Sequence, residues 1–354
     1  MRWAKPKEYS KAQINSAGRI ISSSKSTNNG KVEATKILDN WRAVHSYPMH
    51  IFKKRLKKCS ERVDRRAISV QRLKRSPSVI KKLQREYYGN KPTMNLSQMQ
   101  DIAGCRAVVS TVDMVNKLYK DHYLKGDLKH EMVNVKDYIL DPKEDGYRSI
   151  HLVYKYKSDK GKKEYNGLLV EIQIRSKLQH LWATAIETVD FFTRQAIKIS
   201  EGDKEWSEFF KLVSSAFAKW ENCPSVKNTP TKEKELFLKI KEKEKKLQVI
   251  KSMKGWTKAM QFLTKSEVDP KMKFHLLSLD IKGETLSINS YSDKSEKKAL
   301  EDYSRVEKRN KDNKEYDVVL VGADTTQDLK KAYPNYFVDT REFLGHLQKI
   351  VNKY

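Results

Sequence analysis

Cysteine is scarce, with three residues in a chain of 354. Cys59, Cys105 and Cys223 are scattered with no metal-ligand spacing, a usage that suits a reduced cytoplasm. Long apolar runs are missing too. None reaches the ~18 residues from which a membrane-spanning helix is read, so no membrane partner is expected. The opening "MRWAKPKEYS" lacks the apolar segment of a secretory signal, which again points to a cytoplasmic protein. The stretch from Lys271 onward has no cysteine, which excludes a cysteine zinc ribbon there. There is no internal repeat and no long low-complexity segment.

Positive charge is what abounds. Lys and Arg number 72 against 45 Asp and Glu, a net of +27, and basic proteins of this size usually meet a polyanion. Lysine that merely decorates a surface alternates with glutamate, as in "KEKELFLKIKEKEKKLQ". Residues 51–90 do not alternate: fourteen Lys and Arg stand against three acids. With 38% apolar and 33% charged residues, the chain is soluble and long enough for two domains, or for one large domain with an appendage.

Periodicity predicts the elements. "KVEATKILDNWRAVHSYPMHIFKKRLKKCSERV" reads as helix interrupted near Pro48, with Ile37, Leu38, Trp41, Val44, Ile51, Phe52 and Leu56 as its buried stripe. Ser78 is an N-cap candidate for a further helix running to Gly89. "CRAVVS" is a β-branched strand followed by the helix "VDMVNKLYKDHY". The strands "VNVKDYIL", "SIHLVYKY" and "YNGLLVEIQIRS" come next, the last two joined as a hairpin, and the helix "KLQHLWATAIETVDFFTRQAIK" follows. This is an α+β domain with a largely antiparallel or mixed sheet, ending near Cys223 and Pro224. Residues 230–265 read as a charged helical connector. From about Lys271 a second small unit reads as a hairpin ("KFHLLSLDI", "ETLSINSYS"), a helix, the strand "YDVVLVGA" and a closing helix.

Three segments hold residues that folding alone does not require. In "VKDYILDPKEDGYRSIHLVY", Pro142, Asp145 and Gly146 suffice for the turn, yet Lys143, Tyr147, Arg148 and His151 crowd around it. In "LVEIQIRS", strand alternation puts Glu171, Gln173 and Arg175 on one face, a pattern that any half-buried strand also shows. Asp101 and Arg106 flank the start of another strand. Two carboxylates on adjacent strands can hold a divalent metal, and Arg and Gln beside them can bind phosphate oxygens. In "ISVQRLKRSPSVIKKLQR", Arg72, Lys74, Ser78 and Lys82 lead into a helix N-terminus, whose free N–H groups favour a phosphate. An ordinary basic helix with a serine cap looks the same.

Taken in order, "RLKRSPSVIKK", "DIAGCR", "KDYILDPKEDGYRSIH", "VEIQIRS" and "LQHLWATAIE" resemble the synthetase domain of the RelA/SpoT family over roughly residues 5–200. The resemblance implies a nucleotidyltransferase-like fold that uses Mg2+ to transfer the β,γ-pyrophosphate of ATP to a ribose 3′-hydroxyl. It implies that Arg72 and Arg106 sandwich adenine, that Lys74, Ser78 and Lys82 hold the ATP phosphates, and that Asp101 and Glu171 are the metal-binding and catalytic carboxylates. Tyr147 would stack on the acceptor base, with Lys143, Arg148, His151 and Gln173 ordering the acceptor. The family's Glu-His pair after the tryptophan is here Ile186-Glu187, so the glutamate is displaced by one position. No histidine is followed by Asp, so the metal-dependent hydrolase half of the long family members is not expected.

The family divides by acceptor: small alarmone synthetases modify GDP or GTP, and toxic ones modify the 3′-CCA end of tRNA. The basic run at Lys53, Lys54 and Lys57 suits a tRNA surface, so tRNA is the acceptor expected, with (p)ppGpp synthesis from GDP or GTP as the alternative. In the tail, Tyr333 and Tyr336 stand at YxxY spacing around Pro334. Two aromatics in a small core would look alike, but the placement resembles the C-terminal antitoxin segment of CapRel-like proteins, fused toxin–antitoxin synthetases of anti-phage defence. The resemblance implies that these tyrosines shut the ATP site until a phage protein binds. The expected organisation is a synthetase (toxin) domain over 1–225, a connector over 226–270 and a small α/β, zinc-free pseudo-zinc-finger regulatory domain over 271–354, in a monomer.

Overall fold

Helix α1 (Lys11–Ser22) opens on a capping box in which Ser10 and Gln13 exchange side-chain and backbone hydrogen bonds. It heads a computed structural model that describes residues 3–6, 9–85, 94–126, 128–193, 204–247, 249–250, 253, 271–280, 285–310, 316–322 and 341–354. Helices α2 (Asn28–Val44) and α3 (Ser46–Val63) follow. The break between them falls at His45, not at Pro48 as expected. Pro48 sits in the first turn of α3, where its missing N–H leaves no bond unmade.

Strand β1 (Ile68–Leu73), which the periodicity did not predict, leads into helix α4 (Ser76–Leu83). This helix starts two residues before the serine expected to cap it. Pro77 pre-sets its first turn, and Arg75 at the cap position makes no side-chain capping bond. Strand β2 (Ala103–Val109), helix α5 (Val112–Tyr119) and strands β3 (Glu131–Asp137), β4 (Ile150–Lys155) and β5 (Leu169–Ser176) come as predicted, followed by α6 (Lys177–Thr193). Then come α7 (Lys204–Trp220), absent from the sequence reading, and α8 (Glu233–Leu247). The C-terminal stretch contributes β6 (Met272–Asp280), β7 (Thr285–Ser292), α9 (Glu296–Arg309), β8 (Tyr316–Gly322) and α10 (Arg341–Val351).

The strands form one sheet in the order β3-β4-β5-β2-β1-β8-β6-β7. Only β2 and β5 run parallel; every other pairing is antiparallel, so the sheet is mixed. Helices α3 and α5 cover one face: Met49, Phe52, Leu56, Val115 and Leu118 share a buried core with Cys105, Ala107 and Ile172. The Cys105 thiol donates to the Met49 carbonyl at 3.4 Å, fixing α3 behind β2.

Two expectations about the C-terminal half change. Helix α8 is not a bare connector, because Leu236, Phe237 and Ile240 are buried with Phe210, Phe217 and the Phe343, Leu344 and Leu347 of α10. The small C-terminal unit is not separate from the first sheet either. Strand β8 pairs with β1 at Gln71–Gly322 and Arg72–Val321, extending the sheet across the expected domain boundary.

Candidate active site

The open face of the sheet is set by register. Arg72 pairs with Gly104, Gly104 with Glu171, and Glu171 with Val153, so all four point the same way. One step along, Val70, Arg106, Gln173 and His151 form the next row on that face. The rows line a cleft of about 170 Å³ bounded by Arg72, Lys74, Asp101, Arg106, Glu171 and Gln173. Gly104 leaves its floor clear. A Cβ there would meet only the Arg72 carbonyl oxygen, at an ordinary 3.7 Å, so packing does not demand the glycine.

Asp101, at the mouth of β2, accepts from two ammonium groups, Lys74 at 3.0 Å and Lys82 at 2.9 Å. Burial pushes the Asp101 carboxyl up, but the two lysines more than offset this and hold it below its ordinary value. Lys74 is also lowered, mainly by burial. Asp101 pulls it up, whereas the charges of Lys82 and Arg72 push it down. The two partners shift the same way because the two lysines outweigh burial at the carboxylate, whereas at Lys74 burial, with the charges of Lys82 and Arg72, outweighs Asp101.

Glu171 is gripped by both oxygens. His151 Nδ1 lies 2.9 Å from one, and Gln173 Nε2 donates to the other at 2.7 Å. Burial raises its carboxyl, but His151 pulls it further down, below the usual range. Beyond His151 stands an aromatic corner. Tyr138, Tyr147 and His151 meet edge to face, with centroids 6.0, 5.2 and 5.6 Å apart, and Lys143 lies over the Tyr138 and Tyr147 rings at 4.7 and 5.0 Å. The loop that carries Tyr147 turns on an Asp145 side-chain bond to the Tyr147 N–H and on Gly146 at φ +95°. Here the glycine is required, since a Cβ would come within 2.8 Å of Ser214 Cβ in α7.

The sequence-expected residues Arg72, Lys74, Asp101, Arg106, Glu171 and Gln173 thus share the cleft, with Lys82, Lys143, Tyr147 and His151 at its edges. Ser78 lies one turn before Lys82 in α4. Arg148 is placed elsewhere, and its expected role toward the acceptor is corrected. It is 3% exposed and donates to Ser214 Oγ, the Ile139 carbonyl and the Pro224 carbonyl, bracing the loop against α7. Lys53, Lys54 and Lys57 ride on α3, which packs against β1 and β2 on the face of the sheet opposite the cleft. Ile186 is buried in the helical core, and Glu187 is half-buried beside it. Tyr333 and Tyr336 lie outside the described residues.

The sequence reading missed Tyr138, Arg42 and any role for Arg175. Arg42, 3% exposed, donates to the Lys74 carbonyl at 2.9 Å, Glu307 Oε2 at 3.1 Å and Tyr303 Oη at 2.6 Å. Only Arg175 carried a signal, through its place in the polar alternation of β5. Among the described residues, no group of three or more His, Cys, Asp or Glu makes a self-contained metal site. Asp101 and Glu171 both line the cleft, and Mg2+ commonly takes one or two carboxylates and completes its shell with phosphate oxygens and water.

Comparison with known proteins finds a family match over this part of the chain. Residues 71–190 match the family described as "Region found in RelA / SpoT proteins". The chain is 34% identical over 122 residues to the GTP pyrophosphokinase YjbM of Bacillus subtilis (strain 168), covering 34% of this chain and 54% of that protein. It is 32% identical over 114 residues to the GTP pyrophosphokinase YwaC of the same organism, covering 32% and 52%. The chain therefore spans about half the length of the curated relatives it matches. Among solved structures, small alarmone synthetase 1 from Bacillus subtilis bound to its product pppGpp is 28% identical with a TM-score of 0.37, over 44% of this chain and 74% of that one. The same synthetase in another structure gives 27% and 0.41, over 50% and 88%. Residues 71–190 thus match the RelA/SpoT region and are similar in sequence to part of two GTP pyrophosphokinases.

Proposed function

We propose that the chain is an ATP-dependent pyrophosphokinase that moves the terminal diphosphate of ATP onto the ribose 3′-hydroxyl of GDP or GTP. One observation carries this reading. A single sheet face sets a slot between two arginines, a lysine–aspartate–lysine cluster, an ionised glutamate and a cation-flanked tyrosine side by side. Arg72 and Arg106 suit the adenine, Lys74 and Lys82 suit the phosphates, and Tyr147 with Lys143 suits the acceptor base. The acceptor oxygen bonds to the β-phosphorus, AMP leaves with the bridging oxygen, and Glu171 takes the hydroxyl proton. Transfer of this kind asks the protein mainly for alignment and charge neutralisation. Asp101 and Glu171 would hold Mg2+, whose charge neutralises the phosphate oxygens.

The names of the relatives, GTP pyrophosphokinases, support a guanosine nucleotide as acceptor, and Lys53, Lys54 and Lys57 sit on α3 rather than on the cleft face. Incubation with γ-labelled ATP and equal GDP, GTP and tRNA tests the choice. Label in a guanosine nucleotide supports the reading, label in the tRNA end replaces the acceptor, and no transfer by either the full chain or its Glu307→Gln variant overturns it.

The reading includes restraint by the C-terminal unit. In support, the Glu307 carboxylate accepts from the Ser76 N–H at 2.7 Å, at the N-terminus of α4, and β8 lies along β1 at Arg72.

A further inference from the structure

Five side chains, Glu171 among them, close a ring of hydrogen bonds. Arg175 Nη2 donates to Tyr147 Oη at 3.0 Å and to Gln173 Oε1 at 2.8 Å. From Tyr147 Oη the chain continues to His151 Nε2 at 2.8 Å, and from His151 Nδ1 to one Glu171 oxygen at 2.9 Å. From Gln173 Nε2 it runs to the other Glu171 oxygen at 2.7 Å.

The chemistry of the groups fixes the bonds at both ends. A guanidinium only donates and an ionised carboxylate only accepts. Tyr147 oxygen therefore accepts from Arg175, and His151 gives its Nδ1 proton to Glu171. Between them Tyr147 Oη and His151 Nε2 share one bond. Gln173 satisfies both neighbours only with its oxygen toward Arg175 and its nitrogen toward Glu171. Both arms start at one cation and end on the two oxygens of one carboxylate. Arg175 is 2% exposed, and no carboxylate lies in an ion pair with it among the described residues.

We infer that Arg175 is a positioning residue that locks the acceptor platform, Tyr147, to the carboxylate that meets the acceptor hydroxyl, Glu171. This rests on the function proposed above. It assigns work to the Tyr147 hydroxyl as well as to its ring. It also makes His151 a link with both nitrogens engaged rather than a free donor to the acceptor. A base stacked on Tyr147 and an oxygen facing Glu171 are then held in one frame, which is what alignment in group transfer requires.

The test is a double-mutant cycle on the full chain with Arg175→Met and Tyr147→Phe, with Arg175→Lys as the charge-keeping variant. GDP affinity by calorimetry, kcat and KM for ATP are read for each, and the His151 ring is read by nitrogen–proton NMR. Each single variant is expected to lose roughly tenfold in kcat with KM for ATP unchanged, and the double no more than the worse single, because members of one network are not additive. Arg175→Lys is expected to recover part of the loss. The wild-type His151 is expected as the Nδ1–H tautomer, lost in both single variants. A Tyr147→Phe enzyme with wild-type kcat and GDP affinity, losses that multiply, or an Nε2–H tautomer in the wild type would each overturn the inference. A wild type and a Glu307→Gln chain that both label no acceptor overturn the proposed function, and the tautomer still decides whether the ring exists.

Discussion

Gly104 and Arg148 show how differently two residues near one site can matter. Gly104 sits mid-strand, where glycine costs about 0.5–1 kcal/mol relative to a residue with a side chain, and its added Cβ meets nothing closer than 3.7 Å. Gly104→Val is therefore expected to melt no lower than the parent while ATP affinity falls by roughly tenfold, a loss of ~1.4 kcal/mol, because the branched side chain fills the cleft floor. Calorimetry and a melting curve check the split, and a loss of stability without a loss of affinity would show that the cleft is not the donor site. Arg148→Met is expected to do the reverse. It strands the buried Ile139 carbonyl, at a cost of about 1–3 kcal/mol, removes the bond to the Pro224 carbonyl, and lowers Tm. KM for either substrate should stay near the parent value in the folded fraction, and a selective rise in acceptor KM would return Arg148 to the site. Residue chemistry was largely legible in the sequence, because carboxylates, arginines and a tyrosine in turn positions that do not need them are visible without coordinates. Arg148 was misplaced because adjacency to Tyr147 in a loop says nothing about which side chain turns inward.

Elements were legible where periodicity is strong and local. Strand β5 alternates over most of its length, β2 and β4 show as short apolar, β-branched runs, and Thr111 marks the start of α5 by accepting from the Met114 N–H. Strand β1 was missed because its pattern, Ile-Ser-Val-Gln-Arg-Leu, mixes charge into a core strand whose partner, β2, lies beyond α4. The cap of α4 was misread because it does not come from the chain nearby: it is Glu307. Helix α9 holds the opposite surprise at its first residue. A glutamate at a helix N-terminus is ordinarily favoured in its ionised form by the helix dipole. Burial of Glu296, with Asp293 adding to it, instead raises its carboxyl from 4.5 to about 7. The folded chain then keeps a proton that the unfolded chain has released between those two values, so this group's contribution to stability falls as pH rises through that window and stays low above it. Glu296→Gln is expected to raise Tm at pH ~8 and to leave it nearly unchanged at pH ~4, where both states are protonated. An equal gain at both values would mean that packing, not charge, is responsible.

At the scale of the whole molecule, the sheet and one buried cation join the two ends of the chain. Arg42 from α2 is raised well above its ordinary value; burial opposes its charge, and Tyr303 and Glu307 from α9 outweigh that. Glu307 accepts from the Ser76 N–H at 2.7 Å, the Ser76 hydroxyl at 3.2 Å, Arg42 at 3.1 Å and Tyr303 at 3.0 Å, across 231 to 265 residues of sequence for the first three. No local pattern could show such a contact, since nothing near Ser76 or Glu307 in the chain calls for the other. A carboxylate thus occupies the end of α4 where N–H groups and dipole favour any anion, a phosphate included. Being part of the same chain, it acts at an effective concentration on the order of millimolar if the linker is short and flexible. Glu307→Gln keeps the shape and removes the charge. It is expected to tighten ATP binding by roughly 5- to 10-fold, the effect of a lost intramolecular competitor, and to speed amide exchange at Gln71 and Arg72, where β8 pairs with β1. Tm is expected to fall as well, because Arg42 keeps its burial and loses its counter-charge. ATP added to the variant should restore more Tm than it adds to the parent, since a ligand stabilises in proportion to its affinity for the folded state. If Tm falls while ATP affinity and exchange at β1 stay at parental values, Glu307 is a strut between the two halves, and restraint of the cleft must come from other residues of the C-terminal unit.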